Sequence, residues 1–204
     1  SLLPMVFLIG FKEPPRKADQ KFEWQAFSAF KRWPIIALGL LGALYSLIIN
    51  AANEIINPFL QSDFGISVMM AGFFTTVWGI GGVVGGVTGG PLTDRVGQRR
   101  AVEIALVISF VSVAVFSFTP TAGIAWPLVF IFGLAFGYYE TVYFSISMRR
   151  SDPRIAASMF SILMAIANIG TGIGLAMAGL LADGVGYRRT FVIIASLNLL
   201  AIPL

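Results

Sequence analysis

Four long stretches of this 204-residue chain carry no charged side chain, at residues 33–53, 64–93, 104–139 and 155–182. An α-helix of about 20 apolar residues spans the ~30 Å hydrocarbon core of a bilayer, because each residue adds about 1.5 Å. The third stretch is too long for one crossing, and Thr119-Pro120-Thr121 is expected to divide it. Charge-free runs of this length predict membrane-spanning helices.

Six spans are predicted on this basis. The period-2 alternation typical of strands is lacking, and backbone inside lipid must satisfy its own hydrogen bonds, which favours helices. The predicted fold class is therefore an all-α membrane protein, a six-transmembrane-helix bundle over residues 34–204. Its helices are expected at residues 35–57, 67–92, 101–118, 124–147, 155–181 and 189–204.

The composition indicates that lipid, and not water, surrounds these helices. Hydrophobic residues make up 57% of the chain and charged residues 12%, and the mean hydropathy is +0.84. A soluble domain carries about 25% charged residues. The sequence has no cysteine and no histidine, which excludes disulfides, thiolate or imidazole metal sites and histidine-based catalysis within it. We therefore expect no enzyme activity, no catalytic residue, no metal and no cofactor.

The basic residues mark one face of the membrane. All but two of the 14 Lys and Arg residues fall before the first span, between the second and third, or between the fourth and fifth. In a six-span chain these segments share one side, and the positive-inside rule makes that side cytoplasmic. Only Arg188 and Arg189 lie opposite. The net charge of +4 is thus a topology signal, and no nucleic-acid partner is expected.

The segment before the first span has its own pattern. At residues 12–33, aromatic side chains recur near helical spacing beside basic residues, which favours an amphipathic helix within a cytoplasmic central loop. A plain solvated linker is the alternative. Residues 1–11 are expected to end a preceding transmembrane helix. Because the chain opens with Ser1 and both its ends are apolar, we expect a piece cut at a domain boundary.

A motif of glycines and charges lies between the second and third spans. It reads Gly90-Pro91-Leu92-Thr93-Asp94-Arg95-Val96-Gly97-Gln98-Arg99-Arg100, and it resembles the signature loop of the major facilitator superfamily. The resemblance covers essentially the whole chain and implies one half of the twelve-helix major facilitator fold. In that family the loop latches one conformation of the transport cycle. The latch implied here consists of Gly90, Asp94, Arg95, Gly97, Arg99 and Arg100. The alternative is that these residues only fix topology.

Further patterns are similar to the same family. The second span has glycines at 81, 85, 89 and at 82, 86, 90, and the fifth has Gly170, Gly174 and Ala178, spacings that let helix backbones approach closely. Segments 179–191 and 11–16 resemble the family's last outer loop and central loop. They imply helices seven to twelve, with an N-terminal six-helix half as partner. Residues 151–155 and 168–170 are similar to the peptide and acetyl-CoA transporter branch, which includes muropeptide permeases.

Polar side chains inside the first span fall on one helical face. Because a polar group in lipid is costly, such a stripe predicts a cavity or a gate. Ser46, Asn50 and Asn53 are predicted to line a substrate cavity, and Glu54 and Asn57, nearer the outer surface, to form an outer gate. Hydrogen bonding between helices is the alternative for each asparagine.

A second group of polar and aromatic side chains lies within the other spans. Glu140 is a protonatable carboxyl about 13 Å from the cytoplasmic end of its helix, which makes it the proton-coupling candidate. A structural ion pair or a tyrosine hydrogen bond is the alternative. In the resembled fold the third and sixth spans are peripheral, and the other four surround the cavity. The further cavity candidates are Thr75, Trp78, Tyr139, Tyr143, Asn168 and Thr171.

These features predict a secondary active transporter that moves a small solute across a bacterial inner membrane by alternating access, as a symporter or an antiporter. Proton coupling is a hypothesis. The expected partners are the small-molecule substrate, the lipid bilayer and the N-terminal half. A non-transporting membrane receptor or assembly factor on the same scaffold is the alternative. A channel lacks an evident filter, and the absence of Lys and Arg inside the spans disfavours phosphate-like substrates at this half of the site.

Overall fold

The computed structural model describes residues 24–201, with side chains from residue 27 onward. Within that range the chain forms six α-helices and three short 3-10 helices. The α-helices are α1 Trp33–Phe64, α2 Val68–Val96, α3 Gln98–Ala114, α4 Ala122–Arg150, α5 Ala156–Val185 and α6 Tyr187–Ser196. The 3-10 helices are Trp24–Lys31, Val115–Phe118 and Leu197–Ala201. The predicted all-α fold with six helices is confirmed.

The predicted ends of α1 and α2 were too early, and that of α1 lay at a proline. α1 continues through Pro58 to Phe64 and α2 continues through Pro91 to Val96, beyond the predicted ends at 57 and 92. A proline inside a membrane helix frees one carbonyl, but neighbouring helices and local adjustment satisfy it again, so the helix need not stop. The predicted break before Pro120 is confirmed, because helical structure stops at residue 118 and resumes at residue 122.

Five of the described helices, α1 to α5, are long and apolar enough to cross a bilayer when α3 is taken with its 3-10 extension. The described part of the sixth is shorter and ends at Ala201. Large apolar side chains on the outward faces, such as Val68, Val87 and Leu180, are more than 70% exposed. Apolar surface of this extent is rare on soluble monomers, whereas lipid accommodates it. The chain is a multi-pass integral membrane protein.

Helices α2 and α4 pack backbone against backbone. A methyl group added at Gly81 or Gly85 of α2 would collide with carbonyl oxygens of α4, and one added at Gly137 of α4 would collide with the backbone of α2. Only glycine permits such an approach. The predicted row at 81, 85 and 89 is therefore a packing surface. A methyl group added at Gly90, in the second row, would meet no atom within 4 Å outside the backbone of its own helix.

Helices α1 and α5 form a second pair of the same kind. Gly170 and Gly174 of α5 lie directly against the backbone carbonyls of Ala43 and Leu47 in α1. Ala178, one turn further along α5, is fully buried. The predicted small-residue row of the fifth span is confirmed as a helix contact. The bundle therefore contains an α2–α4 pair and an α1–α5 pair.

Helices α3 and α6 lie outside these two pairs. The Tyr138 hydroxyl of α4 donates a hydrogen bond to the Ala101 carbonyl of α3 (3.3 Å). Phe116, directly after α3, stacks on Phe191 of α6 with ring centroids 5.3 Å apart, and Phe191 in turn meets Phe59 of α1 edge-on at 5.3 Å. This arrangement agrees with the peripheral position implied for the third and sixth spans.

The turn between α2 and α3 is a single residue. Gly97 has φ +83°, a left-handed conformation that glycine adopts without strain. The segment predicted as a signature loop is therefore mostly helical, since its first seven residues belong to α2 and its last three to α3. A loop was expected from the resemblance and from glycines that permit a tight turn, and the structure confines that turn to Gly97.

The 3-10 helix Trp24–Lys31 falls in the segment predicted to be amphipathic. Its Phe27 and Phe30 pack against the hydrophobic core of the bundle. Residues 12–23 of that segment, and the preceding span expected at 1–11, lie outside the described residues. The predicted domain boundaries therefore stay predictions.

The glycine contact between α2 and α4 can be tested with one matched pair of variants. Gly85→Ala places a methyl group against the α4 backbone and is expected to destabilise the protein by about 1–3 kcal/mol. Gly79→Ala, in the same helix, enters open space and should be neutral or slightly stabilising. Thermal unfolding of the full-length protein in detergent measures both. Equal melting temperatures for the two variants would contradict the packing.

Candidate functional site

The inner part of the polar stripe connects α1 to α5. The Asn50 side-chain NH2 donates to the Thr171 hydroxyl of α5 (3.2 Å) and to the Ser46 carbonyl one turn earlier (2.8 Å). Asn50, Ser46 and Thr171 are half-buried, and Asn168, three residues before Thr171, is exposed. The structure thus brings together cavity candidates that were predicted on separate helices.

The outer part of the stripe meets α2. The Asn57 side-chain NH2 donates to the Thr75 hydroxyl (3.2 Å), which links a gate candidate to a cavity candidate. Asn53 and Trp78 line the same small pocket between these helices. The Trp78 indole N–H is buried and has no hydrogen-bond acceptor within the part of the chain that the structure describes. Glu54 is exposed at the edge of this region.

Tyrosine rings form the contact between α1 and α4. Tyr45 stacks on Tyr139 with ring centroids 4.1 Å apart, and its hydroxyl donates to the Phe136 carbonyl of α4 (3.3 Å). The Tyr143 hydroxyl donates to the Leu163 carbonyl of α5 (3.3 Å). Tyr139 and Tyr143 are each only 2% exposed. The structure places these two cavity candidates inside the helix contact, and their role in lining a cavity stays a prediction.

Glu140 is half-buried at the edge of this tyrosine cluster, next to Tyr139 in sequence. Its carboxylate interacts electrostatically with Tyr45. Glu140 forms no ion pair with any residue in the described range. The alternative that Glu140 belongs to a structural ion pair therefore has no partner residue there. Tyr45 itself was missed, because it precedes Ser46 and so falls off the polar face of the first span.

On the face predicted to be cytoplasmic, an ion pair joins the last turns of α2 and α4. The Arg149 guanidinium lies 2.6 Å from the Asp94 carboxylate. Both side chains are more than half exposed, so the pair contributes about 0–1 kcal/mol to stability. Arg149 was not predicted as part of the latch. It lies 55 residues after Asp94 in the sequence and comes close to the motif only in the folded chain. The ion partner of Arg99 is Glu103 of its own helix (3.2 Å).

The loop between α4 and α5 carries a second ion pair on the same side. Asp152 accepts hydrogen bonds from the Arg154 guanidinium at 3.1 and 2.9 Å and from the Arg154 backbone N–H at 3.0 Å. These hydrogen bonds, the side-chain one above all, lower the pKa of Asp152 to about 2. A carboxylate held ionised in this way gives the short loop a fixed shape.

At the outer end, one guanidinium connects three helices. Arg188 of α6 lies 3.1 Å from the Asp63 carboxylate at the end of α1 and donates to the Ser117 carbonyl after α3 (3.0 Å). Its guanidinium carbon also lies 5.3 and 5.9 Å from the ring centroids of Phe59 and Phe64. We call this group the outer clasp. Arg188 is one of the two arginines predicted to lie opposite the basic face, and the outer clasp gives its charge a carboxylate partner.

The sequence of the chain matches a known family. The sequence model of the Major Facilitator Superfamily matches residues 2–153 and, in an overlapping match, residues 38–204. The chain belongs to this superfamily. Its members are transporters, which act on small molecules within a lipid membrane. The match confirms the resemblance that was seen in the glycine and charge motif.

Two relatives are named as multidrug resistance proteins. Multidrug resistance protein 3 of Bacillus subtilis is 27% identical over 177 residues, which are 85% of this chain and 34% of that protein. Multidrug resistance protein MdtG of Salmonella arizonae is 24% identical over 205 residues, 97% of this chain and 50% of that protein. The chain thus spans half or less of these relatives. They do not test the peptide and acetyl-CoA branch, which stays a prediction.

A solved structure has a similar fold. It is a bacterial homologue of the human lysosomal transporter Spinster in an inward-facing and unoccupied conformation, with a TM-score of 0.68 and 18% identity. The match covers 99% of this chain and 55% of that one. At this identity the likeness shows the fold alone. It agrees with the six-helix unit being one half of a major facilitator.

The Asp152–Arg154 pair generates a pH prediction. Because the folded state lowers the pKa of Asp152 from 3.8 to about 2, the stability that the pair contributes is present above 3.8 and is lost as the pH falls towards 2. Arg154→Gln should raise the pKa of Asp152 towards 3.8. The measurement is the melting temperature of the full-length protein between pH 2 and 5. Asp152→Asn should not show this loss of stability at low pH. If its melting temperature depends on pH in the same way as that of the parent protein, the assignment is contradicted.

Proposed function

We propose that the full-length protein is a secondary active transporter of small molecules, and that this chain supplies its C-terminal six-helix half. The observation that carries the proposal is the polar face of α1, where Asn50 reaches Thr171 of α5 and Asn57 reaches Thr75 of α2. Polar groups inside lipid are retained where they face a partner or a solute pathway. The N-terminal half would close the site from the other side, as in alternating access between two bundles.

The substrate class that this half supports is a neutral or cationic molecule with an apolar body. The inward parts of the spans offer amides, hydroxyls, tyrosine rings and one carboxyl, with no cation to hold a phosphate. The indole N–H of Trp78 can donate to a substrate acceptor, since no described group accepts it. Both relatives are named as multidrug resistance proteins, which supports a role in moving small molecules.

The site residues keep the roles predicted from the sequence as part of this proposal. Substrate would meet Ser46, Asn50 and Asn53 on α1, with Glu54 and Asn57 as the outer gate. The remaining lining residues are Thr75, Trp78, Tyr139, Tyr143, Asn168 and Thr171. Glu140 would exchange the coupling proton, beside a tyrosine cluster that limits contact with water. The location that follows from the bacterial relatives is the inner membrane.

An enzymatic activity is not part of the proposal. Nucleophilic or acid–base catalysis needs two complementary groups within hydrogen-bond reach. Within the described spans Glu140 lies next to Tyr139 in sequence, and it has no second carboxylate as hydrogen-bond partner. A receptor or assembly role on the same scaffold is distinguished by replacing Asn50, Asn53 and Asn168 with alanine, which a receptor would tolerate and a carrier would not.

The proposed latch now includes a residue outside the motif. Asp94 and Arg149 hold the cytoplasmic ends of α2 and α4 together, and Gly97 sets the turn beside them. Arg95, Arg99 and Arg100 lie exposed around this ion pair and keep the local potential positive. Breaking the pair should alter the balance between transport conformations more than it alters stability.

Transport and proton coupling are tested together with ethidium, a fluorescent dye that suits the proposed substrate class. Full-length protein in proteoliposomes is expected to move ethidium against its gradient when a pH gradient is imposed. Glu140→Gln should abolish this uphill movement and retain exchange of ethidium at equilibrium, because substrate binding remains while the proton is lost. Asp183→Asn is the control, an exposed carboxyl near the end of α5 that has no role in the proposal. Uphill movement in Glu140→Gln would exclude coupling through this residue.

The latch is tested by non-additivity. Asp94→Asn and Arg149→Gln should each slow ethidium transport about fivefold, which corresponds to ~1 kcal/mol, and the double variant should be no slower than either one. Arg150→Gln, a neighbouring arginine without an ion pair in the described range, should transport normally. If the double variant instead slows transport by the product of the two single effects, Asp94 and Arg149 act independently.

A further inference from the structure

The side-chain amide of Asn50 has a fixed orientation. Its NH2 lies 2.8 Å from the Ser46 carbonyl oxygen, and because a carbonyl can only accept a hydrogen bond, the amide cannot be turned the other way round. The NH2 also donates to the Thr171 hydroxyl oxygen, at 3.2 Å. Both hydrogens of the NH2 are therefore used, while the side-chain oxygen of Asn50 accepts a hydrogen bond from no group among the described residues.

The Thr171 hydroxyl is also used on one side only. Thr75, Thr93 and Thr190 each donate the hydroxyl proton to the carbonyl oxygen four residues earlier in their own helix. Thr171 accepts from Asn50 instead, and within the part of the chain that the structure describes its proton is donated to no acceptor. The contact leaves one free acceptor, on Asn50, and one free donor, on Thr171. We call these two groups the Asn50–Thr171 pair.

The packing of α1 on α5 holds this pair in place. Gly170 directly precedes Thr171 and lies so close to the Ala43 carbonyl of α1 that a methyl group would not fit. Gly174 meets Leu47 in the same way. Both members of the pair are half-buried, which limits their contact with water. Because the backbones cannot shift at these contacts, the pair is already ordered before a substrate arrives.

The hydrogen-bonding capacity of the pair defines the group that complements it. A hydroxyl donates and accepts through one atom, and a carboxamide with an N–H does so through two neighbouring atoms. An ammonium group cannot accept and a carboxylate cannot donate. Each of these ions would leave one member of the pair without a partner, and an unpaired polar group lowers affinity.

We propose that the Asn50–Thr171 pair determines specificity in this half of the site, by selecting substrates that carry a hydroxyl or a carboxamide N–H on an apolar body. The proposal rests on the proposed transport function and names the group that a substrate presents to α1 and α5. Glu140 serves another part of the same molecule. Its carboxylate interacts electrostatically with Tyr45, which precedes Asn50 by five residues, about 8 Å along α1.

Binding of four matched probes tests the proposal without transport. Diphenylacetamide and diphenylmethanol each donate and accept, whereas N,N-dimethyldiphenylacetamide and diphenylmethyl methyl ether only accept. Isothermal titration calorimetry with the full-length protein in lipid nanodiscs gives each dissociation constant, with empty nanodiscs as the blank. A donating probe should bind about tenfold more tightly than its methylated derivative, although methylation adds apolar surface. The amide and alcohol arms show which of the two groups the pair selects.

Two variants assign the preference to the oxygen of Asn50. Asn50→Leu removes that oxygen and should make the donating and methylated probes bind equally. Thr171→Val breaks the same hydrogen bond between the helices, but it should retain the preference, because Ser46 still orients the amide and the released N–H replaces the lost donor. If Asn50→Leu fails to fold, Asn50→Ala removes the same oxygen. Loss of the preference in Thr171→Val as well would attribute it to the helix contact and contradict the proposal.

The probes also separate this proposal from the transport function. Equal dissociation constants within both probe pairs, or no binding by any probe, would overturn the role of the Asn50–Thr171 pair, even in a protein that moves ethidium. The expected preference in a protein that moves no ethidium would support the pair as a binding site and contradict the transport function.

Discussion

Contact between helix backbones at glycine is the interaction on which the rest of this structure depends. In lipid the hydrophobic effect does not drive helices together, because an acyl chain is as apolar as a leucine, so association relies on close van der Waals packing. Gly81, Gly85 and Gly137 supply that packing for α2 and α4, and Gly170 and Gly174 supply it for α1 and α5. The two pairs fix where every other side chain is placed.

The polar groups occupy the boundaries that these pairs leave. Asn50 satisfies one hydrogen bond on α5 and Asn57 one on α2, so α1 carries its polar stripe across two neighbours at little cost. Two ion pairs lie at the ends of the helices, with Asp94–Arg149 on the face predicted to be cytoplasmic and Asp63–Arg188 opposite. Backbone contact at glycine thus places the polar side chains at the boundaries between the helix pairs.

Much of this organisation could be predicted from the sequence, for physical reasons that act locally. Charge-free runs determined the six helices, and glycines at 81, 85, 170 and 174 determined the packing faces. The end of α1 was missed because it was placed before Pro58, and membrane helices tolerate proline where neighbours satisfy the freed carbonyl. The Asp94–Arg149 and Asp63–Arg188 pairs were missed because their partners lie 55 and 125 residues apart, and composition and periodicity hold no information about such contacts. Tyr45 was missed because the prediction followed the polar face of the first span. Tyr45 lies off that face and is buried against Tyr139 of α4.

The close approach of α2 and α4 is tested most directly by a disulfide cross-link in native membranes. A Cβ atom at Gly86 lies 3.5 Å from the Thr141 hydroxyl oxygen, within reach of the geometry that a disulfide requires. In the full-length protein with other cysteines replaced, Gly86→Cys with Thr141→Cys should cross-link on mild oxidation and lose reactivity towards maleimide. Gly79→Cys with Thr141→Cys, about 10 Å away along α2, should stay reactive. Equal reactivity of the two variants after oxidation would contradict the backbone contact.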